Sequence, residues 1–278
     1  FYLNGVQAPN TSNATPNQMT SDFQIGGQSF DPTHYWNGKI DEVKIYNYAR
    51  TQKQILQDMS GRAGSASGGN ALSQKTPIIW YKMDEGVGTT AFNFGSGGST
   101  YNARISGETL PTYTKNGKVN GALYFYGVGN TARGYILTNS LNIGASGNQL
   151  TFSLWIKPDS TQNAGQPFFL RNGLGADQNY ALRLNGVSGG KYKLTVDRYT
   201  GSWEGTTNTN YLIPISQWSH IGVVLTEGVN WKYYLNGKYI ETINVAGTAV
   251  TATSGLSIGG HSGAWSQYFN GYLDEVKI

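Results

Sequence analysis

The sequence has no cysteine in 278 residues. Disulfides form and persist in oxidising compartments, and a eukaryotic extracellular module of this size usually carries them. A chain without cysteine that is rich in glycine, asparagine and tyrosine fits a prokaryotic surface or secreted protein better. The composition therefore predicts an extracellular or cell-surface location in a prokaryote.

Charged residues and long apolar runs are also scarce. Only 13% of the residues are charged, and the net charge of +4 is spread along the chain without a basic run. Nucleic-acid binding depends on clustered lysine and arginine, so no nucleic-acid partner is expected. No apolar run approaches the roughly 18 residues of a membrane-spanning helix. We therefore expect no membrane insertion by this segment.

The residue patterns of common hydrolytic sites are missing as well. A glycoside hydrolase on a β-sandwich would carry two carboxylates on one strand face, about 5–10 Å apart, and no string such as E-x-D-x-E occurs. The three histidines, His34, His220 and His261, lie in separate segments. We therefore predict that the protein is not an enzyme and has no catalytic residues.

The residues that are abundant favour short strands and tight turns. The chain has 38 glycines, 19 tyrosines and 7 tryptophans. Aromatic and β-branched residues are typical of strands, and glycine and asparagine are typical of turns. Several segments alternate apolar and polar residues, among them 152–156 and 221–225. Because no helical pattern interrupts residues 77–278, these segments predict an all-β fold, an antiparallel sandwich of two sheets.

One motif occurs twice. Residues 35–45 (YWNGKIDEVKI) and 268–278 (YFNGYLDEVKI) are identical at eight of eleven positions, and residues 20–29 match 253–262 at the same spacing. A self-match at a fixed long period indicates tandem modules. We therefore expect a segment of a longer polymer. Its ends would be completed by the neighbouring sequence of one covalent array or, as the alternative, by strand addition between identical subunits.

The repeat divides the chain into three predicted regions. Residues 1–59 form the C-terminal part of a preceding module, residues 60–76 a Gly/Ser-rich linker, and residues 77–278 a nearly complete module that lacks its final helix. The first copy is predicted to have a short helix after its last strand, because Thr51 and Gln54 form a capping-box pattern.

Six motifs, taken in their order along the chain, resemble the bacterial laminin G-like modules, which are concanavalin A-like jelly rolls. The motifs are 38–49 (GKIDEVKIYNYA), 80–91 (WYKMDEGVGTTA), 121–125 (GALYF), 150–158 (LTFSLWIKP), 217–223 (QWSHIGV) and 234–237 (YLNG). The resemblance implies two curved antiparallel sheets in which the first strand, 78–83, pairs near the last, 271–278. It also implies a multi-module surface or secreted protein that binds glycans or proteins, or that acts as a spacer.

The resemblance also bears on metal binding. Members of this family often carry acidic residues in the loop after the first strand, where this chain has 93–98 (NFGSGG), and again shortly after the position of Tyr126. Calcium takes six to eight oxygen ligands, usually including clustered carboxylates. We therefore expect no metal site and no cofactor, although backbone carbonyls could still contribute to a structural calcium site.

The candidate ligand-binding residues are aromatic side chains in Gly/Ser-rich segments: Trp203, Trp265 and Tyr199. Exposed aromatic rings can stack on a sugar or seat a partner surface. The alternative is that each covers the end of its own sandwich. Four other tryptophans, which lie in strand motifs, are predicted to be in or near the core: Trp36, Trp80, Trp155 and Trp218.

The acidic pairs of the repeat, Asp41-Glu42 and Asp274-Glu275, are predicted to be structural. Adjacent residues on a strand point to opposite faces, so such a pair cannot flank one substrate bond. We expect the aspartate to accept backbone hydrogen bonds that tie the last strand to a neighbouring loop. Asn10 and Asn13 begin glycosylation sequons, although such triplets also arise by chance in a loop of asparagine, threonine and serine.

Together these features favour a non-catalytic tandem-repeat module that acts in adhesion or as a structural fibre unit. Its partners would be neighbouring modules of the same array or identical subunits. An alternative is a carbohydrate-binding module that recognises glycans, or surface proteins, through loop aromatics. A glycan-active enzyme domain is the third hypothesis, and the missing pair of acids argues against it.

Overall fold

The computed structural model describes most of residues 77–278 and several short segments before them. The described residues are 2–3, 6–7, 25–27, 35–40, 43, 55, 77–128, 133–141, 149–162, 167–174, 177–247, 249–250, 252, 254–260 and 267–278. The chain divides into two compact units, Phe1–Gly68 and Gly69–Ile278.

The first unit begins with two short strands. β1 (Tyr2–Leu3) and β2 (Val6–Gln7) pair antiparallel, with Leu3 opposite Val6. Further along, the Trp36 side chain is 64% exposed, so the prediction that it lies in or near the core is wrong. Its indole lies against Gly38, which has no side chain to cover it.

Most of the predicted features of the first unit lie outside the described residues. Ile55 is helical, and it is the one described position of the predicted helix. Asn10, Asn13, Asp41 and Glu42 are not among the described residues.

The second unit is built from strands. They are β3 (Trp80–Tyr81), β4 (Thr90–Ala91), β5 (Ala103–Gly107), β6 (Thr112–Val119), β7 (Gly121–Phe125), β8 (Gly134–Ser140), β9 (Gln149–Pro158), β10 (Phe168–Leu174), β11 (Asp177–Ser188), β12 (Lys191–Tyr199), β13 (Trp203–Pro214), β14 (Ser219–Thr226), β15 (Asn230–Leu235), β16 (Lys238–Asn244), β17 (Gly255–Ile258) and β18 (Gly271–Lys277). A short 3-10 helix, Gly98–Tyr101, follows β4. None of the helical segments in the described part of the chain is long and apolar enough to cross a membrane.

The strands form two antiparallel sheets. The first sheet has the order β13-β12-β11-β10-β17-β8-β5-β4, and the second has the order β16-β15-β14-β9-β18-β7-β6 with β3 also paired to β18. The sheets enclose one apolar core, which includes Phe152, Leu182, Trp231 and Leu273. The predicted all-β sandwich of two antiparallel sheets is therefore confirmed.

The first and last strands of the second unit are neighbours, as expected. β18 pairs antiparallel with β3, with Val276 opposite Tyr81. Ile79 and Ile278 exchange two backbone hydrogen bonds of 3.1 and 3.0 Å. Glu275 has a φ of +52°, at the irregularity where the pairing of β18 with β9 shifts register.

Asn93 fastens the loop between β4 and the 3-10 helix. Its Oδ1 accepts hydrogen bonds from the backbone N–H groups of Trp80 and Gly95, at 2.8 and 2.9 Å. Its Nδ2 donates to the carbonyl oxygens of Ile78 and Gly98, both at 3.0 Å. The buried amide therefore joins this loop to the start of the first strand through both of its polar atoms.

Candidate functional site

The outer face of the second sheet carries a set of aromatic side chains. In β9, Leu154 and Ile156 are buried while the intervening Trp155 is half-buried, because successive side chains of a strand point to opposite faces. We call this outer surface the aromatic face, and its aromatic residues are Trp80, Tyr124, Tyr126, Trp155, Trp218 and Tyr272.

Tyrosines at the centre of the aromatic face are in ring contact. The ring centroids of Tyr124 and Tyr126 are 4.7 Å apart, and those of Tyr124 and Tyr272 are 4.6 Å apart. Trp218 continues this row, with its centroid 6.1 Å from that of Tyr272. Cross-strand pairing explains the arrangement, since β18 places Tyr272 opposite Tyr124 of β7.

A groove lies beside this row. Its volume is about 580 Å³, and we call it the aromatic groove; its lining residues are Lys118, Trp155, Trp218, His220, Asn236 and Gly237. The rings of Trp155 and His220 meet edge to face, with centroids 5.1 Å apart. The Nζ atom of Lys118 lies 4.9 Å from the Trp155 ring centroid, which is within cation–π distance.

Hydrogen bonds fix the polar side of the groove. The His220 backbone N–H donates to Oδ1 of Asn236 at 2.8 Å, and the Asn236 backbone N–H donates to the His220 carbonyl oxygen at 2.9 Å. Asn236 and Gly237 have φ values of +51° and +77°, as a two-residue turn between β15 and β16 requires. The His220 Nε2 is 3.0 Å from the Ser153 Oγ.

The surroundings of His220 disfavour the charged form of its imidazole. Partial burial lowers the pKa of His220, and the positive charge of Lys277 lowers this pKa further. A neutral ring offers one donor and one acceptor nitrogen. His220 can therefore hydrogen-bond a hydroxyl-bearing ligand at pH 7 without carrying charge.

On the aromatic face, two lysines lie above aromatic rings, and two carboxylates accept hydrogen bonds. Lys157 lies 5.2 Å from the Tyr272 ring centroid, and Lys277 lies 4.7 Å from that of Trp80. The Tyr124 hydroxyl donates to Asp159 at 2.8 Å. Glu275 accepts from Trp80 Nε1 at 3.0 Å and from Lys277 at 2.8 Å. Both carboxylates are thus already hydrogen-bonded within the protein.

Two of the three residues predicted to bind ligand from the sequence, Tyr199 and Trp203, lie on the other sheet. Tyr199 and Trp203 are cross-strand partners in β12 and β13, with ring centroids 5.4 Å apart, and Trp203 is 38% exposed. The guanidinium carbon of Arg171 lies 5.2 Å from the Trp203 ring centroid. This small cluster is separate from the aromatic groove, and Trp265 lies outside the described residues.

The second acidic pair of the repeat makes structural contacts. Asp274 is buried, and its Oδ2 accepts a hydrogen bond from the Val119 N–H at 2.8 Å. Burial raises the pKa of Asp274 to about 7, and the negative charges of Glu275 and Asp84 add to this rise. The contact links the last strand to the end of β6, immediately after Lys118 of the groove.

The described residues contain no group of three or more histidines, aspartates and glutamates that could hold a metal ion. At the position where laminin G-like modules often carry acids, the chain has Asn93, whose amide donates two hydrogen bonds to backbone carbonyls. A carboxylate cannot donate these bonds. Asn93 therefore stabilises the backbone around this loop through its hydrogen bonds.

The placement of three tryptophans corrects the prediction from sequence. Trp80, Trp155 and Trp218 are half-buried on the aromatic face, so they are not core residues. Trp155 is out of phase with the apolar alternation of Phe152, Leu154 and Ile156, and that phase is visible in the sequence. The groove also depends on the meeting of β6, β14 and the β15–β16 turn, for which the sequence holds no local signal.

Solved structures with similar folds include carbohydrate-binding and toxin domains. Domain 4 of AbnA, a GH43 extracellular arabinanase from Geobacillus stearothermophilus solved in complex with arabinotriose, has a TM-score of 0.54 and 20% identity, over 73% of this chain and 92% of that chain. The binding domain of botulinum neurotoxin serotype G has a TM-score of 0.51 and 12% identity, over 72% of this chain and 47% of that chain. At these identities the likeness shows the fold alone.

The sequence was compared with curated proteins and with models of protein families. No curated protein matches the chain. A family model, Laminin_G_3, described as the concanavalin A-like lectin/glucanases superfamily, matches residues 1–56 and 128–278. The matched residues make up well over half of the sequence. The chain therefore belongs to the laminin G-like family of the concanavalin A-like lectin/glucanases superfamily.

Proposed function

We propose that this chain is a non-catalytic, extracellular binding module that attaches to carbohydrate through the aromatic groove. The observation that carries the proposal is the groove itself, which joins two half-exposed indoles to the polar side chains of His220 and Asn236. Sugar rings present C–H faces that stack on aromatic rings, and their hydroxyls need polar partners. Both kinds of contact are available in this one concavity.

Three further points support a protein that is extracellular and that binds carbohydrate without cleaving it. The groove lining contains no carboxylate, whereas glycoside hydrolysis uses a pair of them. A domain of similar fold was solved with arabinotriose bound, and that domain belongs to an extracellular arabinanase. The composition without cysteine is in keeping with a prokaryotic surface or secreted protein.

The repeated motif favours a second role that is compatible with the first. Residues 35–45 and 268–278 are nearly the same sequence, as expected if modules follow one another in an array. Several modules in one chain would raise the avidity for a polymeric glycan without any change in the single site. Adhesion by a multivalent array is the form of the function that we propose.

The test is retention of the intact 278-residue chain on a glycan array and on insoluble polysaccharides. We expect binding to at least one polysaccharide, and we expect Trp218→Ala to weaken it by about tenfold because one stacking surface is lost. The matched control is Trp203→Ala, which removes an exposed indole from the other sheet. The proposal fails if the chain is retained on no carbohydrate, or if the two substitutions weaken binding equally.

A further inference from the structure

The charge of the aromatic groove bears on the kind of sugar that fits it. Lys118 is the one charged residue of the lining that is positive at pH 7, and His220 is neutral there. The side chain of Lys118 is exposed, and Trp155 holds its ammonium group above the indole. A ligand that stacks on the neighbouring Trp218 therefore meets a fixed positive charge.

The carboxylates near the groove make their contacts with groups other than Lys118. Glu275 is paired with Lys277, and Asp159 accepts from the Tyr124 hydroxyl. Asp274, which lies opposite Trp155 in the sheet, is buried, and burial raises its pKa to about 7, so that its negative charge is weakened. Among the described residues, Lys118 and Lys157 form no salt bridge with any carboxylate.

We infer that the groove selects an anionic saccharide, a sugar that carries a carboxylate or sulfate group, with the ring stacked on Trp218 and the acid paired with Lys118. This inference rests on the proposed function, because it names the class of glycan that the same groove takes. A neutral glycan would leave the Lys118 charge without a ligand partner. Lys157, above Tyr272 on the same face, gives a second positive charge along the path of a longer chain.

The geometry explains why such a site needs both a lysine and a tryptophan. An exposed ion pair contributes little by itself, since water and salt screen it. Stacking holds the sugar ring in one place, and the cation–π contact holds Lys118 in another. A sugar ring that carries an acid group can use both contacts at once, whereas a free anion can use only the contact with Lys118.

The experiment compares charged and neutral forms of the same polymers. Affinity electrophoresis of the chain is run with four acidic polymers: polygalacturonate, alginate, hyaluronan and chondroitin sulfate. The neutral form of each of the first three is its methyl ester. The neutral form of chondroitin sulfate is the desulfated polymer with its carboxylates methyl-esterified. We expect at least one acidic form to bind about fivefold more tightly than its neutral form, with the difference reduced by added salt. Lys118→Gln should remove the difference, whereas Lys191→Gln, an exposed lysine on the other sheet, should preserve it.

The possible outcomes separate this inference from the proposed function. Equal binding to acidic and neutral forms, or a preference for neutral glycans, overturns the inference and leaves the carbohydrate-binding function in place. If the unsubstituted chain bound none of the acidic or neutral glycans, both the inference and the proposed function would be overturned. Oligoglutamate is the probe for charge alone, and if it bound as tightly as the acidic polysaccharides, the inferred role of the sugar ring would be wrong.

Discussion

At the scale of single residues, the tryptophans of the second unit occupy two environments. Trp231 in β15 is fully buried between the sheets, while Trp218 is half-buried on the aromatic face. Buried aromatic rings stabilise the fold by removing apolar area from water, and a partly exposed ring contributes less to stability. The same residue type therefore serves packing at one position and, in the function that we propose, contact with a ligand at another.

Replacing each of these two tryptophans should separate the roles. We expect Trp231→Ala to lower the free energy of unfolding by about 3–5 kcal/mol, because it leaves a large cavity. Trp218→Ala should change the free energy of unfolding by about 1 kcal/mol or less. Chemical denaturation measures both. A Trp218 variant as unstable as the Trp231 variant would contradict the assignment of Trp218 to the surface.

Asp274 leads to a prediction about pH. Its pKa rises from 3.8 to about 7 on burial, so the folded state binds the proton more tightly than the unfolded state. The stability contributed by this group is fully present below about pH 4 and is lost as the pH rises towards 7. We expect Asp274→Asn to reduce the fall in melting temperature between pH 4 and pH 7.

The control for this pH experiment is Glu108→Gln, since the Glu108 side chain is 58% exposed. Glu85 has a pKa raised to about 7, mainly by burial, and stays in both variants, so part of the pH dependence should remain. Identical pH profiles for the Asp274 variant and the unsubstituted chain would contradict the prediction.

At the scale of elements, Asn93 shows how one buried amide can hold a loop in place. It is fully buried, and it uses both Oδ1 and Nδ2 to hold the loop after β4 against the start of the first strand. An aspartate at this position could accept but not donate. It would also place a negative charge beside two carbonyl oxygens.

We therefore expect Asn93→Asp to lower the free energy of unfolding by about 2–4 kcal/mol, through two lost hydrogen bonds and a buried charge. Asn116→Asp is the matched control, because Asn116 is exposed in β6. Thermal unfolding of both variants in the same buffer measures the difference. Equal melting temperatures would show that the loop tolerates a carboxylate.

For the turn at Asn236 and Gly237, the sequence predicts the turn itself but not the contact that the turn makes with β14. An asparagine–glycine pair between strand-forming residues indicates a two-residue hairpin turn, and both residues have positive φ. The sequence contains no sign that Oδ1 of Asn236 accepts a hydrogen bond from His220, which lies on β14. That contact forms one wall of the groove, so the site could not be predicted from local patterns.

At the scale of the whole molecule, the alternation of apolar residues was sufficient to predict a sandwich of two sheets. The order of strands was not predictable in the same way, since β10 pairs with β17 across more than 80 residues of sequence. Strand order decides which outward residues meet. Trp155, Trp218 and Lys118 come from three separate segments, and only the folded arrangement makes them neighbours.

Metal removal tests the second unit as a whole. The described residues offer no cluster of carboxylates or histidines for a metal ion. We expect EDTA to change the melting temperature of the chain by less than about 3 °C, because a ligand stabilises a fold only if it binds the native state. A larger fall that calcium reverses would reveal a structural ion.

The pairing of β3 with β18 has a mechanical consequence. The two strands are antiparallel, and Ile79 lies opposite Ile278, so the chain enters and leaves this pair at the same end of the sheet. A force that pulls these two residues apart acts along the hydrogen bonds and not along the strands. It would therefore open the bonds one after another, as in a zipper, and the first pair to break would be that between Ile79 and Ile278. Under tension, the pair between β3 and β18 therefore opens first, and the strand next to β18 in the sheet is β9, which carries Trp155 of the aromatic groove. A pull on the ends of a module would in this way reach the strand beside its binding surface.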